Sequence, residues 1–332
     1  MTRPSVQVQS QNQIAALRTR LAALLPELVA LPGVLGIVLG GGMSRGYADH
    51  LSEIDLTLYL TSDAYRRWVS GHAPLPQGIA VRSGALYDIR FADLDAERAA
   101  EWSDDALWDA SYAEVLHDPQ GLVAQLLASK LAVRPRPEDA EGPLFSCWWY
   151  FRLAGDIWLH RSDVPQGHHM LGQAVVALAK ALFLANGERV PHEKWLLHMS
   201  RSLPWLPARW PERLAAAMAT GDMGLAGLRQ RQAAIQSLWE EVDAFARGAL
   251  PVPMMQRTFY RLLLMLAERG ALPLAEWQQH ADLSLLSSEP FHSLVRVEVD
   301  MVTLDRDLLR QIGPDAMYAW HYQVVRAVAG GC

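Results

Sequence analysis

The residues best suited to chemistry are concentrated between Gly40 and Leu60. Glu53 and Asp55 stand two apart at the start of a run, Ile54 to Leu60, in which apolar residues alternate. Ile54, Leu56, Leu58 and Leu60 fall on one face of an extended strand, and Asp55, Thr57 and Tyr59 on the other. Glu53 and Asp55 therefore project from the same face, their backbones about 6.6 Å apart at a rise of about 3.3 Å per residue. Two carboxylates at that spacing can share a divalent cation, and Mg²⁺ favours one or two carboxylates combined with phosphate oxygens. Without a cation the two charges repel. Just upstream lies the turn Gly40-Gly41-Gly42-Met43-Ser44-Arg45-Gly46. Its glycines let backbone N–H groups approach a phosphate with no Cβ in the way. Ser44 can add a hydroxyl and Arg45 a charge, although Arg45 is equally placed to pair with Asp49.

The run Gly41-Gly42-Met43-Ser44-Arg45-Gly46-Tyr47-Ala48-Asp49-His50-Leu51-Ser52-Glu53-Ile54-Asp55-Leu56 resembles the signature of the polymerase-beta-like nucleotidyltransferases. That signature is a glycine pair, a short loop often ending Arg-Gly, and an acid-hydrophobic-acid triplet on a strand. The resemblance implies a third carboxylate on a later strand. Asp88, in Ala85-Leu86-Tyr87-Asp88-Ile89-Arg90-Phe91, fits, with Tyr87, Ile89 and Phe91 facing inward. By resemblance, Asp88 either completes the metal site or acts as the base on an acceptor hydroxyl. One residue departs from the pattern. The first acid is usually Asp, whereas Glu53 reaches one methylene further while still able to ligate Mg²⁺. Two outer segments, Tyr112 to Gly121 and Ala181 to Trp195, are similar to parts of the aminoglycoside-type branch.

The resemblance implies a Mg²⁺-dependent enzyme that moves a nucleoside monophosphate, AMP from ATP or its equivalent from another NTP, to a hydroxyl and releases pyrophosphate. The acceptor it implies is a small molecule such as a cationic amino sugar, with the link to antibiotic resistance that this branch carries. Mg²⁺ would be held by Glu53, Asp55 and Asp88. The nucleotide would lie against Gly41, Gly42, Ser44 and Arg45; Lys194 either reaches the triphosphate or is a surface lysine with a packed stem. Two other readings stand beside this one: transfer to RNA or a partner protein, and a nucleotide-binding module without turnover.

The elements that must position these residues are legible from periodicity. A helix is expected over Ile14 to Ala30, a buried strand over Val34 to Leu39, and a strand pair over Ile79–Arg82 and Ala85–Phe91. Helices are expected over Trp108 to Leu116 and Gly121 to Leu131. The proline- and charge-rich segment Arg134 to Asp139 reads as a linker. Beyond it, Phe145–Arg161, Met170–Asn186, Pro211–Ala219, Leu225–Arg247, Met254–Gly270 and the tail Pro290–Val328 read as helical. The expected architecture is an α+β domain over 1–135, a mixed sheet with flanking helices, followed by an all-α helical bundle over 142–332.

Composition narrows the partners. The chain of 332 residues carries a net charge of -6, which disfavours coating nucleic acid. The N-terminal MTRPSVQVQSQNQ lacks a signal-peptide core, no membrane span is expected, and the two cysteines suit a reducing cytoplasm. From Asp88 to Asp118, ten carboxylates face two arginines. That run reads as a solvated face in preference to a polycation-attracting cleft. Lys180 in an apolar helix is a weaker phosphate candidate than Lys194. Trp148, Trp149, Tyr150 and Trp158 read as core, Gly167-His168-His169 as loop, and Cys147 as an inert buried thiol.

Overall fold

The computed structural model describes residues 3–6, 8, 10–82, 84–311, 324, 327 and 328. The fold is α+β: a mixed five-stranded sheet with helices, and a C-terminal region that is predominantly helical. The chain divides into two compact units, Met1–Pro135 with Asn186–Leu206, and Arg136–Ala185 with Pro207–Cys332.

In the first unit, α1 (Ile14–Val29) buries Leu17, Leu21, Leu24 and Leu28, the 3–4 spacing of one helix face. Strand β1 (Val34–Leu39) leads to a one-turn helix, α2 (Gly41–Ser44), and then to β2 (Ile54–Leu60). Thr61 caps α3 (Ser62–Arg67) by accepting from the N–H of Ala64. Strands β3 (Gly78–Arg82) and β4 (Ala85–Asp93) form the expected pair. Asp93 then caps α4 (Leu94–Ala99), and Ser103 caps α5 (Asp104–Tyr112). Strand β5 (Glu114–His117) and α6 (Leu122–Lys130) follow. The sheet order is β3-β4-β2-β1-β5, with β2 and β4 parallel and the other pairs antiparallel.

Period-2 alternation gives this sheet two apolar faces. Ile54, Leu56, Leu58 and Leu60 join Tyr87, Ile89 and Phe91 in a core shared with α1. Val38, Tyr59 and Ala92 form a second cluster with Val123 and Leu126 of α6. Asp55 and Asp88 have the parity of this second face. The sequence reading missed β5: Trp108 to Leu116 is a helix only as far as Tyr112, and its last residues pair with β1. A strand of four residues at a sheet edge carries too short a pattern to compete with the helical period before it.

In the second unit, α7 (Glu141–Trp148) runs through a π-helical segment, Trp149–Ala154, into α8 (Gly155–Arg161). Helix α9 (Val164–Ala185) packs against α7 and against a later long helix, Leu225–Arg247. By length and composition α9 could cross a membrane, but 61% of its apolar window is buried, as in a core helix. His168 and His169 lie within α9 and not in a loop. Phe151 and Cys147 are core, whereas Trp149 is exposed and Trp148, Tyr150 and Trp158 sit at the margin.

The first unit contributes α10 (Glu193–Ser200), and the second continues with α11 (Trp210–Met218), α12 (Leu225–Arg247) and α13 (Arg257–Arg269). Then come β6 (Ala271–Pro273), α14 (Leu274–Trp277), α15 (Phe291–Leu294), β7 (Val295–Glu298), β8 (Met301–Leu304) and α16 (Arg306–Gln311). The three strands form an antiparallel sheet in the order β6-β8-β7. The bundle therefore carries a small sheet, and the tail expected to be helical from Pro290 holds a hairpin. Of the rest of that tail, 312–323, 325 and 326 lie outside the described residues.

Candidate active site

Register brings the acids together. On the parallel strands β2 and β4, Asp55 is the partner of Asp88, as Ile54 is of Tyr87 and Leu56 of Ile89. Residues in register on adjacent strands share a face, so both carboxylates stand on the same side of the sheet. Glu53 lies one residue before β2, outside the strand itself. One ligand atom from each of Glu53, Asp55 and Asp88 lies within 4.8 Å of the others, and all three residues are half-buried.

The glycine turn closes over this cluster. The N–H of Gly40 donates to the carbonyl of Asp55 at 2.9 Å, tying the end of β1 to the start of β2. Gly41 has φ +63°, and a Cβ on it would lie 1.6 Å from Oδ2 of Asp55. The space Asp55 occupies exists because Gly41 has no side chain. A Cβ on Gly42 would lie 2.8 Å from the carbonyl oxygen of Tyr47, whose N–H donates back to Gly42 at 3.0 Å. The hydroxyl of Ser44 donates to the carbonyl of Gly41 at 3.0 Å, inside the same turn.

Arg45 does not pair with Asp49. Its Nη1 donates to Oδ1 of Asp109 at 2.7 Å. The guanidinium lies over the rings of Trp108, 4.7 Å from the centroid, and Trp195, at 5.4 Å. The side chain is only 6% exposed, and its Nε is buried without a hydrogen-bond partner. Asp49 is held instead by the N–H of Leu51, the hydroxyls of Tyr47 and Ser52, and Ser10. The Leu51 N–H, with the Tyr47 hydroxyl, brings its pKa down to about 2.

Asp55 shows the opposite perturbation. Burial, then the charges of Glu53 and Asp88, push its pKa up to about 6, while Arg45 pulls it down. An acid cluster so arranged is costly in isolation and is the environment a divalent cation would neutralise.

Asp55 and Asp88 line a cleft of about 680 Å³, within the range of small-molecule sites. Gly40, Gly41, Arg45 and Asp109 line it too. So do Arg90, Glu97 and Trp102, among which Arg90 pairs with Glu97 and the indole of Trp102 donates to Glu97 at 2.8 Å. Lys194 stands exposed in the first turn of α10, its ammonium 5.8 Å from the Trp195 ring, and it is not among the residues lining the cleft. Lys180 lies on α9, in the second unit.

The acidic run is largely committed to structure. Asp93 caps α4, Glu97 pairs with Arg90, Asp95 with Arg98, Asp109 with Arg45 and Glu114 with Arg18. What sequence reasoning missed is the cage around Arg45. Asp109 is 64 residues away in the chain, and Trp195 sits further still, so no local pattern joined them to the glycine turn.

No protein-family model matches the chain, and no curated protein does. Among solved structures, the chain is similar to a nucleotidyltransferase-like protein from Exiguobacterium sibiricum 255-15 at 12% identity and a TM-score of 0.42, over 86% of this chain and 98% of that one. The reading of the site therefore stands on its own geometry.

Proposed function

We propose that the protein is a Mg²⁺-dependent nucleotidyltransferase that transfers a nucleoside monophosphate from ATP, or another NTP, to a hydroxyl of a small-molecule acceptor. The observation that carries this reading is the register pairing of Asp55 with Asp88 beneath Gly41, with Glu53 completing a group of three carboxylates. The donor set fits the ion: three hard carboxylate oxygens, two of them from residues that line the cleft, leave positions for phosphate oxygens. When bound, Mg²⁺ would orient the phosphates and neutralise charge that develops as pyrophosphate leaves.

The chain's own residues have distinct tasks in this reading. Glu53, Asp55 and Asp88 hold the ion, and the parallel register fixes two of them without reliance on a loop. Gly41 and Gly42 keep the turn low enough for a triphosphate to lie against its backbone. Arg45, clamped by Asp109 and two indoles, directs a fixed positive charge into the cleft. Because its fork is already oriented, little side-chain entropy is lost when an anion binds.

The experiment is pyrophosphate release from ATP and Mg²⁺ across a panel of amino-sugar and nucleoside acceptors, with Asp55→Asn as the control. Acceptor-dependent release by the wild type and none by the variant is expected. Mg²⁺-dependent ATP binding with no release for any acceptor would favour a nucleotide-binding module instead.

A further inference from the structure

The second unit ends in an arrangement with its own logic. Helix α13, strand β6, the short helices α14 and α15, and the hairpin β7–β8 follow in order, with β8 central in the sheet. That is the layout of a winged helix. A nucleic-acid reader of this shape needs basic side chains on its second helical segment and on its hairpin. Here no Lys or Arg lies between Gly270 and Val295, and the hairpin tip reads Glu298-Val299-Asp300. This face is not suited to phosphate.

The hairpin instead presents an unpaired edge. Strand β7 is outermost in its sheet among the described residues, and an edge strand offers its outward N–H and C=O groups to another strand. Val297 is 47% exposed and Val299 is 93% exposed. Val297 is the partner of Val302, which is fully buried, so Val297 extends the core-facing side of the sheet to its open margin. On the other side of β7 stand Arg296 and Glu298, both exposed, and neither forms an ion pair within the chain among the described residues.

We propose that β7 pairs antiparallel with β7 of a second copy of this chain, about a two-fold axis through Val297. In that register Arg296 of each copy faces Glu298 of the other, and the two Val297 side chains face each other. The neighbouring registers with the same facing are penalised. Centring on Arg296 sets arginine against arginine, and centring on Glu298 sets glutamate against glutamate. A shift by a single residue would put Val297 against charged neighbours on the wrong face. Of these registers only the one centred on Val297 is charge-complementary, and its two copies meet through the same patch, as an isologous interface requires. With so few residue pairs the contact lies below standard interface size, so the dimer is weak and concentration-dependent.

The test is sedimentation equilibrium of the full chain over a concentration series reaching about 300 µM. The wild type should show reversible dimerisation. Arg296→Glu and Glu298→Arg should each raise the dimer dissociation constant at least about tenfold, which corresponds to about 1.4 kcal/mol. Unchanged far-UV circular dichroism would show that each variant remains folded. An equimolar mixture of the two variants should associate again, because the charges are then complementary between chains, and the double variant should dimerise like the wild type. A wild type that stays monomeric throughout, single variants that dimerise normally, or a mixture that fails to associate would each overturn the proposal. So would binding of a labelled duplex oligonucleotide that either single variant abolishes.

Discussion

Gly41 and Asp55 share one volume. The position where any other residue would carry a Cβ is occupied by the Asp55 carboxylate, 1.6 Å away. The turn and the strand therefore depend on each other, and the acid cluster can be disturbed without touching an acid. Gly41→Ala should force Asp55 out of place. It should also destabilise the fold by about 1–3 kcal/mol, from the clash and from a φ of +63°. In thermal-shift measurements the variant should lose the Mg²⁺- and ATP-dependent rise expected of the wild type. A variant that still responds to Mg²⁺ and ATP like the wild type would separate the turn from the acids.

Asp55→Asn should act oppositely on stability and on binding. At pH 8 the metal-free wild type holds Asp55 charged beside Glu53 and Asp88, although its pKa is pushed up to about 6. Removing that charge should stabilise the metal-free fold by about 1–3 kcal/mol, since each tenfold change in an ionisation equilibrium is worth about 1.4 kcal/mol. Stabilisation by Mg²⁺ should vanish. Urea unfolding at pH 8 with EDTA and then with Mg²⁺ reads both effects. Equal or lower stability of the variant in EDTA would mean that the cluster is not under electrostatic load.

Arg45 should behave as a clamped cation and not as a surface residue. Arg45→Ala removes a side chain sandwiched between two indoles and leaves Asp109 beside the cleft uncompensated. A stability loss of about 2–4 kcal/mol is expected from lost packing and cation–π contact. Arg45→Lys keeps the charge but not the planar fork, and should raise the KM for ATP about tenfold or more while costing less stability. An unchanged KM in the lysine variant would remove Arg45 from the phosphate site.

A separate group should contribute pH dependence in the second unit. Asp243 on α12 accepts from the N–H of Met254 at 2.7 Å, and burial pushes its pKa up to about 6. Its unfolded value is about 4, so between the two values the native state binds the extra proton. The sign follows from linkage. This contribution to stability is fully present below about pH 4 and is lost as pH rises through about 6. Asp243→Asn keeps an oxygen for Met254 and cannot ionise. It should match the wild type near pH 4 and exceed it by about 1–3 kcal/mol at pH 8 in urea unfolding. A constant difference across that range would contradict the assignment.

The acids were legible because their geometry is local. A spacing of two on an alternating strand puts Glu53 and Asp55 on one face, and the same alternation in Ala85–Phe91 sets Asp88 apart from Tyr87 and Ile89. Strands β2 and β4 emerged from that alternation, β1 from a short continuous apolar run, and β3 from its pairing with β4. Strands β5, β7 and β8, of four residues each, are too short to show a period and were absorbed into neighbouring helices. The partner of Arg45 was not legible for a related reason. Asp49 is near in sequence, but its carboxylate is already committed to Leu51, Tyr47, Ser52 and Ser10, whereas Asp109 arrives from a helix that only the tertiary fold brings close. His168 and His169 were read as loop because adjacent histidines share no helix face and no third ligand has zinc spacing. Yet Gly167 lies within α9, where a Cβ would meet Leu228 at 2.5 Å, so close packing and not a turn explains that glycine.

The most direct test follows the fate of each phosphate. ATP labelled separately at the α and γ positions would be incubated with the protein, Mg²⁺ and the acceptor panel, alongside Asp55→Asn and Asp88→Asn. If Glu53, Asp55 and Asp88 serve nucleotidyl transfer, the α label enters the acceptor in step with pyrophosphate release, and both variants lose the reaction by at least about a hundredfold. Transfer or release of the γ-phosphate alone, or undiminished α transfer by either variant, would contradict the assignment.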